Sequence, residues 1–415
     1  MALKFGLAAL MLYVSLLPFQ PFFPPITSGI VAFWLVFVLS FRKSRLSGLR
    51  NPLLIASAAL YLWLVFGSFY SPNNHEAGLD LTLKITLLLW PLGAATWPYL
   101  FNHNKKVVLS LFAYLAALSV LALVVVGFIS WQQSGLPLSK FYKFTSTWDW
   151  IPNHYIALYA SFAVLILLEL GILKVIRWRY VIPGLSVLIA SMAFTSVRIQ
   201  IIALPLAAMA FFATTKHQLT NKKRILRVSA LGLILFLGVV FAFPSSRNRL
   251  IETVDELRSV TKMVNNKQTN HRVYLWQYGW EVAQQNLILG TGTGAGDDAL
   301  NEALKSCTAE FWNGHGTYLL SDKRYNYHNT FLQHFATNGL VGLLLLIGLF
   351  VAPIIIYKKR LGGLQTGFLV LCVISFFTES MLERQAGVLF FSFFYALLFV
   401  APWAETSSIV EKKTA

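Results

Sequence analysis

The sequence predicts an all-α polytopic membrane protein of about twelve transmembrane helices, with a long, mostly helical loop between the ninth and the tenth. Three observations carry this. The 415-residue chain is 56% hydrophobic with a mean hydropathy of +0.62. Only 12% of its residues are charged, against roughly 25% in an ordinary soluble domain. Apolar windows of about 20 residues, the length a helix needs to cross a ~30 Å hydrocarbon core, recur along nearly the whole chain.

Taken in order, the expected spans are 5–20, 26–41, 52–70, 80–100, 107–130, 155–173, 180–195, 197–214, 226–243, 330–357, 362–378 and 387–403. The apolar run after Lys4 continues through Leu16, Leu17, Pro18 and Phe19 without a small-residue cleavage site, so the first helix is expected to be retained. Strongly basic loops (Arg42 to Arg50, Lys105 and Lys106, Lys174 to Arg179, Lys216 to Arg227, Lys358 to Arg360) all fall on one side of this alternating path. By the positive-inside rule that side is cytoplasmic, and both termini are expected there. Fusing 180–195 with 197–214 would put the later basic loops on the wrong side, so a turn is expected at Thr195 to Val197.

The expected organisation is therefore 1–243 for the first nine spans, 244–329 for a periplasmic loop, and 330–415 for the last three spans and a cytoplasmic tail. The net charge of +17 is spread in short clusters between spans, with no basic domain to hold a duplex, so no nucleic acid partner is expected. Cys307 falls in a polar loop and Cys372 in an apolar span, so both are expected to be free.

A polar excursion of this length in a compact protein is usually functional. Its first part, Arg247 to Lys262, mixes acid and base at helical spacing and reads as a solvated or interfacial helix. Its second, His271 to Gln285, sets Tyr274, Trp276, Tyr278 and Trp280 among polar residues, the pattern of a helix at the headgroup level. In LGTGTGAGDD, Leu289 to Asp298, the glycines match neither a dinucleotide fingerprint nor a P-loop. That stretch reads as a tight loop ending at an acidic helix cap, with Asp297 or Asp298 bonding free amides, or alternatively as two carboxylates for a metal.

Four residues stand out as chemistry candidates. An arginine beside a transmembrane helix is costly, so Arg198 in TSVRIQ either snorkels to headgroups or binds an anion at a positive helix N-terminus. Lys84 follows Asp80 by four residues, which an ordinary helix pair explains and which ligand binding would also use. Arg272 lies amid aromatics that suit sugar rings or lipid. Its neighbour His271 is the weaker candidate, because adjacent helical residues point in different directions. His328 opens the helix that follows the loop, and histidine is suited to proton transfer.

Three stretches together resemble the O-antigen ligase and polymerase superfamily: TSVRIQ at 195–200, HRVYLWQYGWEVAQQNLILGTGTG at 271–294, and YHNTFLQHFATNGLVGLLL at 327–345. The resemblance is one of order: an arginine at a periplasmic turn, an Arg-x-x-x-Trp helix running into a Gly-rich loop, and His-Asn at a helix start followed by Asn-Gly-x-x-Gly. FFTESMLERQ, Phe376 to Gln385, also resembles the family's last periplasmic turn. The resemblance implies a GT-C-like glycosyltransferase of the bacterial inner membrane. It implies an undecaprenyl-pyrophosphate-linked glycan as donor, a lipid A-core acceptor and no cofactor. It further implies Arg198 and Arg272 as pyrophosphate ligands, His328 as the catalytic histidine, and Lys84 and Glu379 as further substrate-binding residues. A polymerase or a protein-glycosylating ligase of the same superfamily stays open. A lipid or sugar transporter is the alternative from another class, but it should show paired half-repeats with broken helices.

Overall fold

The computed structural model describes residues 2–22, 48–141, 144, 153–215, 232, 234, 236–244, 246–251, 271–312 and 317–405. The span expected at 26–41, the first part of that at 226–243, the basic loop 216–227 and the greater part of the helix expected from Arg247 to Lys262 lie outside these residues.

The chain is an all-α polytopic membrane protein carrying one short hairpin. Its elements are α1 (Ala2–Leu16), α2 (Pro52–Ser68), α3 (Asn74–Lys84), α4 (Thr86–Thr96), α5 (Pro98–Gln132), α6 (Asn153–Ile172), α7 (Trp178–Thr195) and α8 (Arg198–Thr215). There follow α9 (His271–Gln285), α10 (Gly296–Ala303), β1 (Glu310–Trp312), β2 (Thr317–Leu319), α11 (Thr330–Tyr357), α12 (Gly363–Thr378) and α13 (Gln385–Tyr395). A π-helical stretch, Ala396–Val400, extends the last of these. Among the described residues, seven helical stretches are long and apolar enough to cross a membrane and three more are shorter apolar helices. Both cysteines are free and buried, as expected.

The turn expected at Thr195 to Val197 is present. Ser196 takes the left-handed conformation at φ 52° and donates its N–H to Met192, so α7 stops and α8 starts two residues on. The span expected from residue 80 begins earlier, at Asn74, because Asn73 caps it by accepting from the Glu76 N–H. That span is also in two pieces, α3 and α4, separated at Ile85. Pro91 inside α4 has no N–H for the carbonyl of Leu87, and the Ser57 hydroxyl of α2 donates to that carbonyl instead.

The span 330–357 is likewise not one uniform helix. Gly339 breaks α11 at φ 67°, ψ −171°, a conformation open essentially to glycine alone. The carbonyls released there are taken by the glycine-rich loop and by α2. Thr291 N–H donates to Ala336 (2.9 Å), Gly292 N–H to Thr337 (2.9 Å), and Trp63 Nε1 to Asn338 (2.9 Å), while Leu340 N–H donates to Leu287 (2.8 Å). The two backbones approach so closely that a Cβ on Gly339 would lie 1.9 Å from the Ile288 carbonyl oxygen. The glycines of 290–294 and the Asn-Gly pair of α11 thus form one interlocked unit.

Two cores hold the molecule together. The larger, between the helices, is aromatic in its centre, where Phe112, Phe162, Phe368, Phe390 and Phe394 pack ring against ring. The smaller joins α9, α10 and the β1–β2 hairpin through Leu275, Leu300, Phe311, Leu320 and Tyr327. Helices α8 and α12 pack antiparallel. A Cβ on Gly363 would meet Thr215 at one end, and Gln200 donates to Ser375 (2.8 Å) near the other while accepting from Ser161 of α6 (3.0 Å). This polar clamp registers three helices and brings the start of α8 level with the end of α12.

Candidate active site

The site forms where α6, α8, α9 and α11 begin and α12 ends. In YNYHN the Asn326 side chain accepts from the His328 N–H (3.0 Å), and His328 takes a left-handed conformation at φ 45°. Asn329 then caps α11 by accepting from the Leu332 N–H (3.0 Å). A β-carbon in the left-handed region costs roughly 1–2 kcal/mol. Here that backbone lifts the imidazole off the helix and turns it toward Glu379.

His328 Nδ1–H donates to Glu379 Oε2 at 2.7 Å. The other carboxylate oxygen accepts from Arg272 of α9, whose guanidinium also donates to the Thr378 carbonyl (2.9 Å). The backbone of Glu379 is fixed as well, since Thr330 Oγ1 donates to its carbonyl (2.7 Å) and accepts from Met381 N–H (2.9 Å). Burial alone would push the Glu379 carboxyl up. The hydrogen bond from His328 and the charges of His154, Arg272 and His328 outweigh it and hold the group down at about 2. In the neutral imidazole, an Nδ1–H that donates to this carboxylate leaves Nε2 as the acceptor atom.

The candidates from sequence are brought to one end of the bundle, but not all to one spot. Arg198 opens α8, which the Gln200 to Ser375 contact registers against the end of α12. Arg272, His328 and Glu379 are in direct contact. Lys84 lies three turns into its helix rather than one, because α3 starts six residues before the expected boundary. It is 1% exposed and contacts Asp80 (2.7 Å) and Glu383 (2.8 Å). The Asp80 pairing is the helix pair its spacing suggests; the Glu383 contact, 299 residues away, has no local signal.

Sequence reading ranked one residue that borders the site, His271, below Arg272 and left another, His154, out. His271 sits with its ring centroid 6.3 Å from that of His328 and 5.7 Å from Tyr325. It was set aside because it neighbours Arg272, but a site lying beyond a helix N-terminus can be bordered by adjacent first-turn residues. His154, in the first turn of α6, is near enough for its charge to act on Glu379. Its signal was available, as a histidine opening an otherwise apolar span.

The acidic pair after the glycine loop does not cap α10: Ala295 holds the cap position without a side-chain bond. Asp297 instead accepts from Gln333 (2.9 Å), and Asp298 from Asn73 (2.8 Å) and Arg324 (2.7 Å). Burial pushes Asp297 up to about 6, with the Arg324 and Lys84 charges opposing and Asp80 adding to the rise. Burial likewise pushes Glu383 up against the pull of Lys84, helped by Asp80 and Asp297. More carboxylate is gathered here than one ammonium neutralises. No group of three or more His, Cys, Asp or Glu is placed to hold a metal among the described residues.

Fold and site together define a multi-pass membrane protein with a His-Glu-Arg constellation at one end of its helix bundle, in which a buried Glu379 is flanked by a half-buried His328 and Arg272. Residues 183–347, which include Arg198, Arg272 and His328, match the family model described as O-antigen ligase. That match supports the O-antigen ligase superfamily, and with it a function of the ligase or polymerase type. No curated protein matches the chain. Lys84 and Glu379 lie outside the matched stretch.

Proposed function

We propose that the protein transfers O-antigen glycan from undecaprenyl pyrophosphate to lipid A-core oligosaccharide, at the periplasmic face of the bacterial inner membrane and with inversion. The observation that carries this reading is the His328–Glu379–Arg272 chain, a base oriented by a carboxylate that is itself held by an arginine. In this reading Glu379 keeps the proton on Nδ1, and His328 Nε2 takes the proton of the acceptor hydroxyl as its oxygen attacks the anomeric carbon. Attack opposite the leaving group forms the new glycosidic bond while the bond to the phosphate oxygen breaks. Base catalysis of this kind is typically worth ~10²- to 10⁴-fold in rate.

Negative charge then grows on the departing undecaprenyl pyrophosphate. Arg198 at the start of α8 and Arg272 at the start of α9 carry fixed positive charge to that position, and each such contact is worth ~3 kcal/mol of barrier in a partly dry site. No step calls on a metal. The polyprenyl tail lies in the bilayer among the exposed apolar helix faces, and the lipid A-core phosphates meet the basic residues of the loop.

Purified protein in detergent, given undecaprenyl-pyrophosphate glycan, lipid A-core and a chelator, is expected to shift the lipid A-core band on a gel. His328→Ala is expected to abolish the shift while donor binding persists, and Arg272→Ala to weaken both. Lengthened donor glycan with an unshifted lipid A-core band makes the protein a polymerase, and wild-type turnover by His328→Ala removes the base assignment.

A further inference from the structure

Lys84 cannot meet an anionic substrate where it stands without separating it from its present partners. Its ammonium is 1% exposed and already contacts Asp80 and Glu383 at 2.7 and 2.8 Å. A pyrophosphate brought to it would face both carboxylates, with Asp297 close by. Like charges at such range in a poorly solvated site repel strongly. The same geometry gives Lys84 a different use. Glu383 belongs to the short turn between α12 and α13 that also carries Glu379, and a 3-10 bond from Glu383 N–H to Ser380 and a tighter one from Met381 N–H to Glu379 make that turn compact.

The helix that presents Lys84 is anchored at its other end. Asn73, its cap, donates to Asp298 (2.8 Å), and the backbone of Ala77 touches the glycine loop so closely that a Cβ on Gly294 would lie 2.4 Å from the Ala77 nitrogen. Helix α3 is therefore a strut. One end is fixed to the glycine loop, and the other holds the last turn through the Lys84–Glu383 ion pair.

We propose that Lys84 is a positioning residue that fixes the Glu379 turn through Glu383, so that the Glu379 carboxylate stays on His328, and that it does not bind substrate. Its effect on catalysis rests on the function proposed above; its effect on the turn does not. K84M leaves the Glu383 carboxylate without its cation, and E383Q leaves Lys84 paired with Asp80 alone, so either substitution removes the tether between α3 and the turn.

The test compares K84M, E383Q and the double variant K84M/E383Q, with K84R as a charge-retaining control should K84M fail to fold. Three quantities are read: kcat for transfer, the Kd for undecaprenyl pyrophosphate, and amide hydrogen exchange of the 379–384 segment. Each single variant is expected to lose kcat about 10- to 100-fold with Kd changed less than about 3-fold. Exchange of the 379–384 segment should rise about 10-fold or more, and the double variant should be no worse than the poorer single one. K84R should fall between wild type and E383Q in all three. A Kd raised 10-fold or more in K84M or K84R but not in E383Q, with exchange unchanged, makes Lys84 a ligand and overturns the proposal. Absence of transfer by the wild-type protein removes the proposed function instead, and the exchange result alone then decides whether the tether exists.

Discussion

Glu379 is the residue on which the site turns, because a carboxylate that accepts from both His328 and Arg272 sets the orientation of the one and occupies an edge of the other. Its pH signature follows in sign. The folded state holds it at about 2, below its ordinary value of 4.5. It therefore contributes stability that is fully present above about 4.5 and is lost as pH falls toward 2, by an amount on the order of a few kcal/mol. The wild-type melting temperature in detergent should fall more steeply between pH 5 and pH 3 than that of Glu379→Gln, whose amide does not titrate. Parallel curves for the two would show that the ion pair contributes nothing to the fold. The same substitution should lower kcat about 100-fold, because a neutral amide no longer selects the Nδ1–H tautomer or steadies the imidazolium that forms.

At the scale of elements, the glycine-rich loop and the interrupted helix α11 stand or fall together. Carbonyls freed by the break at Gly339 need donors, and the loop amides of Thr291 and Gly292 supply them. Gly339→Ala puts a methyl group against the Ile288 carbonyl in a backbone conformation that only glycine adopts readily. We expect it to destabilise the protein by at least ~1–3 kcal/mol, read as a lowered melting temperature or loss of monodisperse protein. Gly348→Ala, nine residues further along the same helix with nothing within 4 Å of its Cβ, is the control and should be neutral or slightly stabilising. Equal stability of the two variants would mean that the break is not required.

The whole molecule has two ends. The site lies where α6 and α11 begin, so the basic segments that follow them, Lys174 to Arg179 and Lys358 to Arg360, lie at the opposite end. By the positive-inside rule we expect the site to face outward, as the proposed function requires. Cys307 is 4% exposed and Cys372 fully buried, so the native chain should resist an impermeant thiol reagent. Applied to intact spheroplasts, the reagent should label Lys323→Cys and spare Lys359→Cys, both exposed positions. Labelling of Lys359→Cys alone would place the site in the cytoplasm.

Hydropathy by itself located most of the spans among the described residues, because crossing a bilayer requires about 20 apolar residues whatever their neighbours are, but Lys105 and Lys106, expected in a loop, lie inside α5. The described helices follow the expected boundaries closely from 153–172 through 198–215 and again from 330 onward. Charge along the chain was likewise enough to split α7 from α8. Order and spacing of motifs picked out Arg198, Arg272 and His328, all of which open helices and so carry a local signature. Tertiary structure alone decided the partnerships. His328 and Glu379 are 51 residues apart, Arg272 and Glu379 107, and Lys84 and Glu383 299, and no periodicity reaches across such distances. It also decided that Asp297 and Asp298 brace neighbouring elements rather than cap their own helix, and that His154 and His271 approach Glu379 and His328. Local sequence specifies what a short segment can satisfy by itself; a buried charge is satisfied only by whichever distant group the packing of the bundle delivers to it.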